Sequence, residues 1–295
     1  LPKMDLPDIA VAGFALDSRR VEPGQVFIAL QGSAHDGRCF IKSAVAAGAC
    51  AVLCDAPTSQ DGIGVPVIEV PNLADEIGKM ASRFHGEPSK HLMTVAVTGT
   101  NGKTSVTFMA ASALNYLKRS AGIIGTLGQG FLSSLQDSGL TTPDAGVIQS
   151  SLKSMLDAGA EMVFIEASSH GLVQGRLMGT TIQAAVFTNV TRDHLDYHGD
   201  MASYREAKAK LLQWEGLQCA LLNLDDPWLA ALAQAAQVPE VLGFSQMNAQ
   251  GALIRAEALQ FHEAGVQFEL CTPAGSTTVR SALLGQHNVS NLLAV

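Results

Sequence analysis

Charge is scarce in this sequence. Asp, Glu, Lys and Arg make up 16% of its 295 residues and hydrophobic residues 47%, the balance of a globular chain with a substantial core. What charge there is leans acidic, at a formal −8, and Lys and Arg nowhere form a run, which excludes nucleic acid as the main partner. Cysteine is sparse. Cys39, Cys50, Cys54, Cys219 and Cys271 are odd in number and contain no CxxC pair, so reduced, buried thiols are expected over a disulfide framework or a thiolate metal site. The N-terminus has no basic segment leading into an apolar core, and no apolar stretch approaches the ~20 residues of a membrane helix. The expectation is a cytoplasmic protein without a membrane partner. HExxH and GxSxG are both absent, which weakens zinc-protease and serine-hydrolase readings.

What is present gathers between Leu92 and Lys118. Met93 to Val97 is a short apolar, β-branched run, the composition of a buried parallel strand. Thr98-Gly99-Thr100-Asn101-Gly102 is a glycine turn. From Lys103 the apolar residues Val106, Met109, Ala110, Ala113, Leu114 and Leu117 recur at three- and four-residue steps, which predicts a helix. Strand, glycine loop, Lys-Thr and helix describe a phosphate-binding loop. Main-chain N–H groups can crowd around an anion there, and the helix N-terminus adds partial positive charge. Lys103 would reach the outer phosphates and the Thr104 hydroxyl would ligate Mg²⁺. The spacing Gly99-x-x-Gly102-Lys103-Thr104 is shorter than the common pattern, whose first glycine would fall at Val97. An ordinary βα turn leaves unexplained a lysine at the helix start, where it opposes the dipole unless an anion is near.

At this length two domains are expected, 1–88 and 89–295. The first reads as a small α/β unit, with strands at 25–30, 50–54 and 66–70 and helices at 40–49 and 73–84. Glu87-Pro88-Ser89-Lys90 reads as the linker. From 91 to about 245 strands and helices alternate, which implies a mostly parallel sheet covered on both faces. Strands are expected at 122–125, 162–167, 183–188 and 219–223, and helices at 144–158, 204–214 and 227–236. Segments within 252–284 read as a small antiparallel satellite sheet.

In such sheets ligands bind at the carboxyl ends of the strands. The polar clusters Gly99–Thr104, Thr141-Thr142, Glu166–Gly171 and Asn189–His194 all fall there. Glu166, closing an apolar strand beside the loop, is placed to hold Mg²⁺ or its water shell. Asp193, His194, Asp196 and His198 crowd into six residues. That is either a metal site or, since His194 and His198 are at helical spacing, a solvent-facing turn; spacing leaves both open. Lys208, by itself, reads as an exposed helical lysine.

Several of these segments together resemble one family. TGTNGKTS at 98–105, TTPD at 141–144, EASSHGL at 166–172, NVTRDHLDYHG at 189–199, YREAKAKL at 204–211 and GQHNVSN at 285–291 occur in the order seen in Mur ligases. LDSR at 16–19 and DGR at 36–38 resemble the family's UDP-binding front domain. The resemblance covers nearly the whole chain. It is strongest to the branch that adds the third amino acid to UDP-N-acetylmuramoyl-L-alanyl-D-glutamate in peptidoglycan and cell-wall synthesis. It implies an ATP-dependent acid–amino-acid ligase that activates the acid as an acyl phosphate.

Residue by residue, the resemblance implies that Gly99, Thr100, Asn101, Gly102, Lys103, Thr104 and Ser105 bind ATP. It implies that Thr104 and Glu166 hold one Mg²⁺ and His194 with Glu166 a second. Lys208 resembles the lysine this family carries as a carbamate, a carboxylate-like metal ligand, so Lys103, Glu166, His194 and Lys208 form the implied catalytic set. Leu16 and Ser18 resemble uridine contacts, and Ser33, Ala34 and His35 further nucleotide contacts. Thr141, Thr142, Ser168, Gln174 and Arg176 match positions that grip the muramoyl-dipeptide. Asn288 and Asn291 resemble adenine contacts, while His287 departs from some relatives and takes no role.

The family continues into a third domain that binds the amino acid, beyond Val295. The expectation is a monomeric fragment that binds UDP-substrate and, weakly, ATP, with little or no turnover. The motif distinguishing meso-diaminopimelate from lysine also lies beyond the end, and the overall pattern favours diaminopimelate. Two alternatives stand beside this reading: a folylpolyglutamate synthetase-like ligase, and a non-catalytic nucleotide-binding module. A sensor would need only Gly99–Thr104, whereas a ligase also needs Glu166, His194 and Lys208.

Overall fold

The computed structural model describes residues 8–31, 36–55, 57–58 and 62–295. Ser33, Ala34 and His35 therefore lie outside the described residues. The chain divides into two units, the first comprising Leu1–Glu87 with Asp144–Ser150 and Leu177–Thr180, the second the remainder.

The first unit is a parallel sheet in chain order, β1 (Gly13–Ala15), β2 (Gln25–Ala29), β3 (Ala51–Cys54) and β4 (Val67–Glu69), with α1 (Ile41–Ala46) and α2 (Leu73–Phe84). Side chains alternate across a strand, and both faces are buried here. Val26, Ile28 and Leu53 pack with Leu73, Ile77 and Ala145 on one face. Phe27, Ala29 and Val52 pack with Ile41 and Ala44 on the other. The helix expected over 40–49 is shorter, because a 3-10 turn (Gly37–Phe40) precedes it and Gly48, at φ +108°, follows it. Residues 177–180 belong to this unit through close backbone packing: a Cβ on Gly78 of α2 would collide with the Met178 carbonyl.

The second unit is built on β5 (Met93–Thr98), α3 (Lys103–Tyr116), β6 (Ala121–Gly125), β7 (Gly128–Phe131), α4 (Ala145–Asp157), β8 (Met162–Glu166), α5 (Ser169–Val173), β9 (Ala184–Phe187), α6 (Leu195–His198), α7 (Met201–Ala209), β10 (Cys219–Asn223), α8 (Pro227–Ala235), β11 (Glu240–Ser245), β12 (Ile254–His262), β13 (Gly265–Thr272), β14 (Gly275–Ser281) and α9 (Gln286–Leu293). Of α4, the stretch up to Ser150 belongs to the first unit. The strands form one sheet in the order β14-β13-β12-β11-β10-β9-β5-β8-β6-β7. The antiparallel strands read at 252–284 are β12–β14, and they continue this sheet through two parallel pairs, Phe244 with Ile254 and Ser245 with Arg255.

β5 lies between β8 and β9, parallel to both. Val97 pairs with Glu166 and Thr98 with Phe187, so Gly99, Ala167 and Thr188 leave the sheet together at one edge. Pairing alone thus brings the glycine loop, the Glu166 carboxylate and the Asn189–His194 segment to one rim. Pro88-Ser89-Lys90, read as a linker, is a 3-10 turn with Pro88 and Ser89 buried, and the Ser89 hydroxyl accepts the Thr181 N–H at 2.9 Å. The single helix expected over 204–214 starts earlier, where the Asp200 carboxylate caps α7 by accepting from Ser203 N, and finishes as a 3-10 turn, Lys210–Gln213.

Candidate active site

The glycine loop needs its glycines. Gly99 has φ +151° and Gly102 φ +88°, and a Cβ would strike the Thr188 hydroxyl at the first and the Asn291 side-chain oxygen at the second. The segment after β9 grips the loop from one side. Asn189 O accepts from Thr100 N at 2.8 Å, and the Asn189 side chain accepts from Asn101 N at 3.0 Å and donates to Asn101 O at 3.1 Å. Thr188 Oγ1 donates to Asn101 O at 2.5 Å. Lys103 folds back over this loop, donating to Gly99 O at 2.9 Å and Thr100 O at 3.0 Å. Burial lowers its pKa, and the carboxylates of Glu166 and Asp193 oppose that shift.

Glu166 is 1% exposed and both of its carboxylate oxygens accept hydrogen bonds. Oε1 accepts from Thr126 N at 2.8 Å; Oε2 accepts from Thr104 Oγ1 at 2.9 Å and Thr126 Oγ1 at 3.2 Å. The carboxylate occupies the space a side chain at Gly125 would take. A hydroxyl and a carboxylate side by side at the head of the loop are hard oxygen donors, and this pair fits a hard divalent cation such as Mg²⁺.

Behind Glu166 runs a hydroxyl network. Thr142 Oγ1 donates to Glu166 O at 2.6 Å and accepts from Ser168 N at 3.0 Å, with Ser168 Oγ 2.9 Å away. Thr142 is fully buried, so its side chain positions this strand end and offers no free surface. Ser168 Oγ caps α5 by accepting from Gly171 N. Arg176 donates to Thr142 O and to the Gln174 side chain, both at 2.6 Å, and Gln174 donates to the Tyr197 hydroxyl at 3.1 Å. Thr141 Oγ1 lies 3.1 Å from Thr126 Oγ1, whose single proton goes to Glu166. Thr141, Thr142, Ser168, Gln174 and Arg176 are thereby one connected set.

His194 caps α6 in the left-handed conformation, φ +51°, with its Nε2 3.5 Å from the Asp193 carboxylate. Its ring meets His170 edge-on at 4.8 Å between centroids, and His170 in turn stacks on Tyr197 at 4.1 Å. His198 Nε2 lies 2.9 Å from Ser169 Oγ. Burial first, then neighbouring imidazoles, lowers the pKa of both His170 and His198. Among the described residues no three His, Cys, Asp or Glu side chains cluster as metal ligands, so any second cation near His194 depends on donors of another kind.

Lys208 corrects the exposed-lysine reading. It is 1% exposed, donates to Gly99 O at 2.9 Å and stands 4.6 Å above the Tyr204 ring centroid. Burial, with the neighbouring Lys103 charge, pulls its pKa down to about 7. Asn291 is buried against Gly102, and its side chain donates to Asn288 Oδ1 at 3.3 Å, which ties the start of α9 to the loop.

In the first unit, Leu16 and Ser18 line an open pocket of about 770 Å³ together with Arg19, Leu30, Gly37 and Phe40. Asp17 caps the short 3-10 turn here and accepts a two-pronged bond from Arg19, whose side chain hydrogen bonds hold the Asp17 pKa at about 2. The segment is a pocket wall.

Three residues of this site carried no role in the sequence reading: Thr126, Thr188 and Tyr204. Thr126 and Thr188 each directly follow a strand, and the strand-end rule applied to every strand would have found them. Tyr204 gave no such signal, because its partner Thr100 is distant in sequence.

A glycine loop between strand and helix at a topological switch point, with a buried carboxylate on the loop threonine, is the architecture of the α/β phosphate-loop class. The comparisons make that class specific. The Mur ligase middle domain matches residues 97–295 and the Mur ligase family, catalytic domain, residues 10–85. The chain belongs to the Mur ligase family. UDP-N-acetylmuramoyl-L-alanyl-D-glutamate–2,6-diaminopimelate ligases of Ectopseudomonas mendocina (strain ymp) and Pseudomonas aeruginosa are similar to it, 46% identical over 289 residues and 45% over 293. Each similarity takes in 97% of this chain, which spans 59% of the length of those relatives. A solved structure of a ligase of the same name superposes with a TM-score of 0.82 at 38% identity, covering 96% of this chain and 58% of that one. No helix among the described residues is long and apolar enough to cross a membrane.

Proposed function

We propose that this chain carries the ATP-binding and acid-binding apparatus of a cytoplasmic ligase of peptidoglycan precursor synthesis. The acid is UDP-N-acetylmuramoyl-L-alanyl-D-glutamate, and the amine is that of an amino acid, meso-diaminopimelate by the names of its relatives. The observation that carries the reading is the buried Glu166 carboxylate hydrogen-bonded to Thr104 at the head of the glycine loop, with Lys103 beside it. A carboxylate and an amine do not condense unaided. Phosphorylation of the acid by ATP gives an acyl phosphate, the amine attacks its carbonyl, and phosphate departs.

The chain's own groups supply position and charge. The N–H groups opening α3, from Lys103 to Ser105, face the phosphates, while those of Thr100 and Asn101 are held by Asn189 and fix the turn. Lys103, released from its own loop carbonyls, neutralises the outer phosphate oxygens. Thr104 and Glu166 would hold Mg²⁺, which neutralises phosphate charge as transfer proceeds. Thr141, Ser168, Gln174 and Arg176 form the wall against the peptide acid, Arg176 offering a two-pronged grip on an anionic group. The first-unit pocket at Leu16 and Ser18 takes the uridine end. Asn288 and Asn291 hold the adenine side of the loop.

Lys208 is assigned a carbamate. Carbamate formation needs a neutral amine to attack CO₂, and a buried lysine with its pKa near neutrality presents one. As a carbamate Lys208 would offer carboxylate oxygens to a second Mg²⁺.

Calorimetric titration of the 295-residue chain tests this. Saturable Mg·ATP binding, lost in Lys103→Ala, and saturable binding of UDP-N-acetylmuramoyl-dipeptide are expected. Failure of the wild-type chain to bind either would overturn the proposal.

A further inference from the structure

Tyr204 has no role in the scheme above, yet it touches two residues that do, Thr100 and Lys208. Its side chain is fully buried. Its hydroxyl lies 3.0 Å from Thr100 Oγ1 in the glycine loop, and the protons at that contact can be counted. Thr100 Oγ1 donates to Thr191 O at 3.2 Å and accepts from Thr191 N at 3.0 Å. A threonine hydroxyl has one proton and two acceptor sites. With the proton and one acceptor site used by Thr191, the remaining site takes the Tyr204 O–H. Four residues on, one turn along α7, Lys208 lies over the Tyr204 ring and donates to Gly99 O at 2.9 Å. The His194 and His198 rings flank the same tyrosine, at 6.3 and 5.2 Å between centroids.

We propose that Tyr204 is a positioning residue for the nucleotide loop. Its hydroxyl holds Thr100 and its ring holds the Lys208 side chain against Gly99. One side chain thereby sets two successive residues of the turn that leads into the head of α3, where the N–H groups without helical partners face the anion. This rests on the reading of that loop as the ATP site. A tyrosine that merely filled the core would do as well as phenylalanine. Here the loss of the hydroxyl empties an acceptor site on half-buried Thr100, and the loop is free to shift.

The test compares the wild-type 295-residue chain with Tyr204→Phe, Thr100→Val and the double variant, by Mg·ATP titration, thermal melting and amide hydrogen exchange. Tyr204→Phe is expected to melt close to wild type and bind Mg·ATP about two- to tenfold more weakly, the worth of one partly buried neutral hydrogen bond. Exchange at the amides of residues 99–102 should quicken while that of β13 and β14 stays unchanged. The double variant should lose no more than the worse single one, because both act through one contact. Wild-type affinity with unchanged loop exchange in Tyr204→Phe would overturn the proposal, as would losses that simply add. If the wild-type chain does not bind Mg·ATP, the ATP reading falls. The exchange comparison then decides by itself: quickened loop amides support positioning and unchanged ones overturn it.

Discussion

Two lysines share one carbonyl in this site: Lys103 and Lys208 both donate to Gly99 O. Burial first, and the nearby Lys103 charge second, pull the Lys208 pKa down to about 7, which has a consequence for stability. The native amine binds fewer protons than the unfolded one between about pH 7 and 10.5, so stability rises with pH through that window and is lowest below it. The depression corresponds to roughly 5 kcal/mol, at about 1.4 kcal/mol per pH unit. In CO₂-free, nucleotide-free buffer, thermal melts of the wild type should therefore climb between pH 7 and 9. Lys208→Met, which cannot be protonated, should show a flatter profile and a higher melting temperature at pH 7. At Gly125 the expected outcome is opposite in sign. Gly125→Ala puts a methyl group where the Glu166 carboxylate lies, and should cost about 1–3 kcal/mol in a melt and weaken the Mg²⁺ dependence of ATP binding.

At the scale of elements, the rim is held by caps and strand ends. Asp226 shows how. Its Oδ1 accepts from Trp228 N and Leu229 N at the start of α8, while its Oδ2 accepts from Val190 N at 2.7 Å in the segment that grips the glycine loop. One carboxylate thus joins a helix start to the site. Asp226→Ala is expected to cost about 1–2 kcal/mol and to quicken amide exchange at Val190. Asp226→Asn retains an acceptor for the cap and should lose less; equal losses in both variants would count against the cap.

Across the whole molecule, the chain returns to its first unit after leaving it. Ala145 lies in the core with Val26 and Ile77, and Gly78 packs on Met178. A fragment ending at residue 87 would leave that apolar face uncovered. Expressed alone, 1–87 should melt at lower temperature and with less cooperativity than the same unit in the full chain, as read by near-ultraviolet circular dichroism; a sharp, native-like transition would refute this. A domain cut at residue 88 is therefore the natural reading of the linear pattern but severs one core.

The sequence by itself determined the parallel sheet, the glycine loop, its lysine and threonine, and Glu166 at a strand end, because strand and helix periodicity and glycine chemistry are local properties. Short or glycine-broken strands such as β1, β7 and β11 escaped it, since their pairing comes from neighbours and not from their own composition. Only the tertiary structure decided that Lys208 is buried and that Thr126 and Tyr204 hold the site. Burial and hydrogen bonding between residues forty to over a hundred positions apart, from Thr126–Glu166 to Lys208–Gly99, arise only once the sheet sets strand ends side by side.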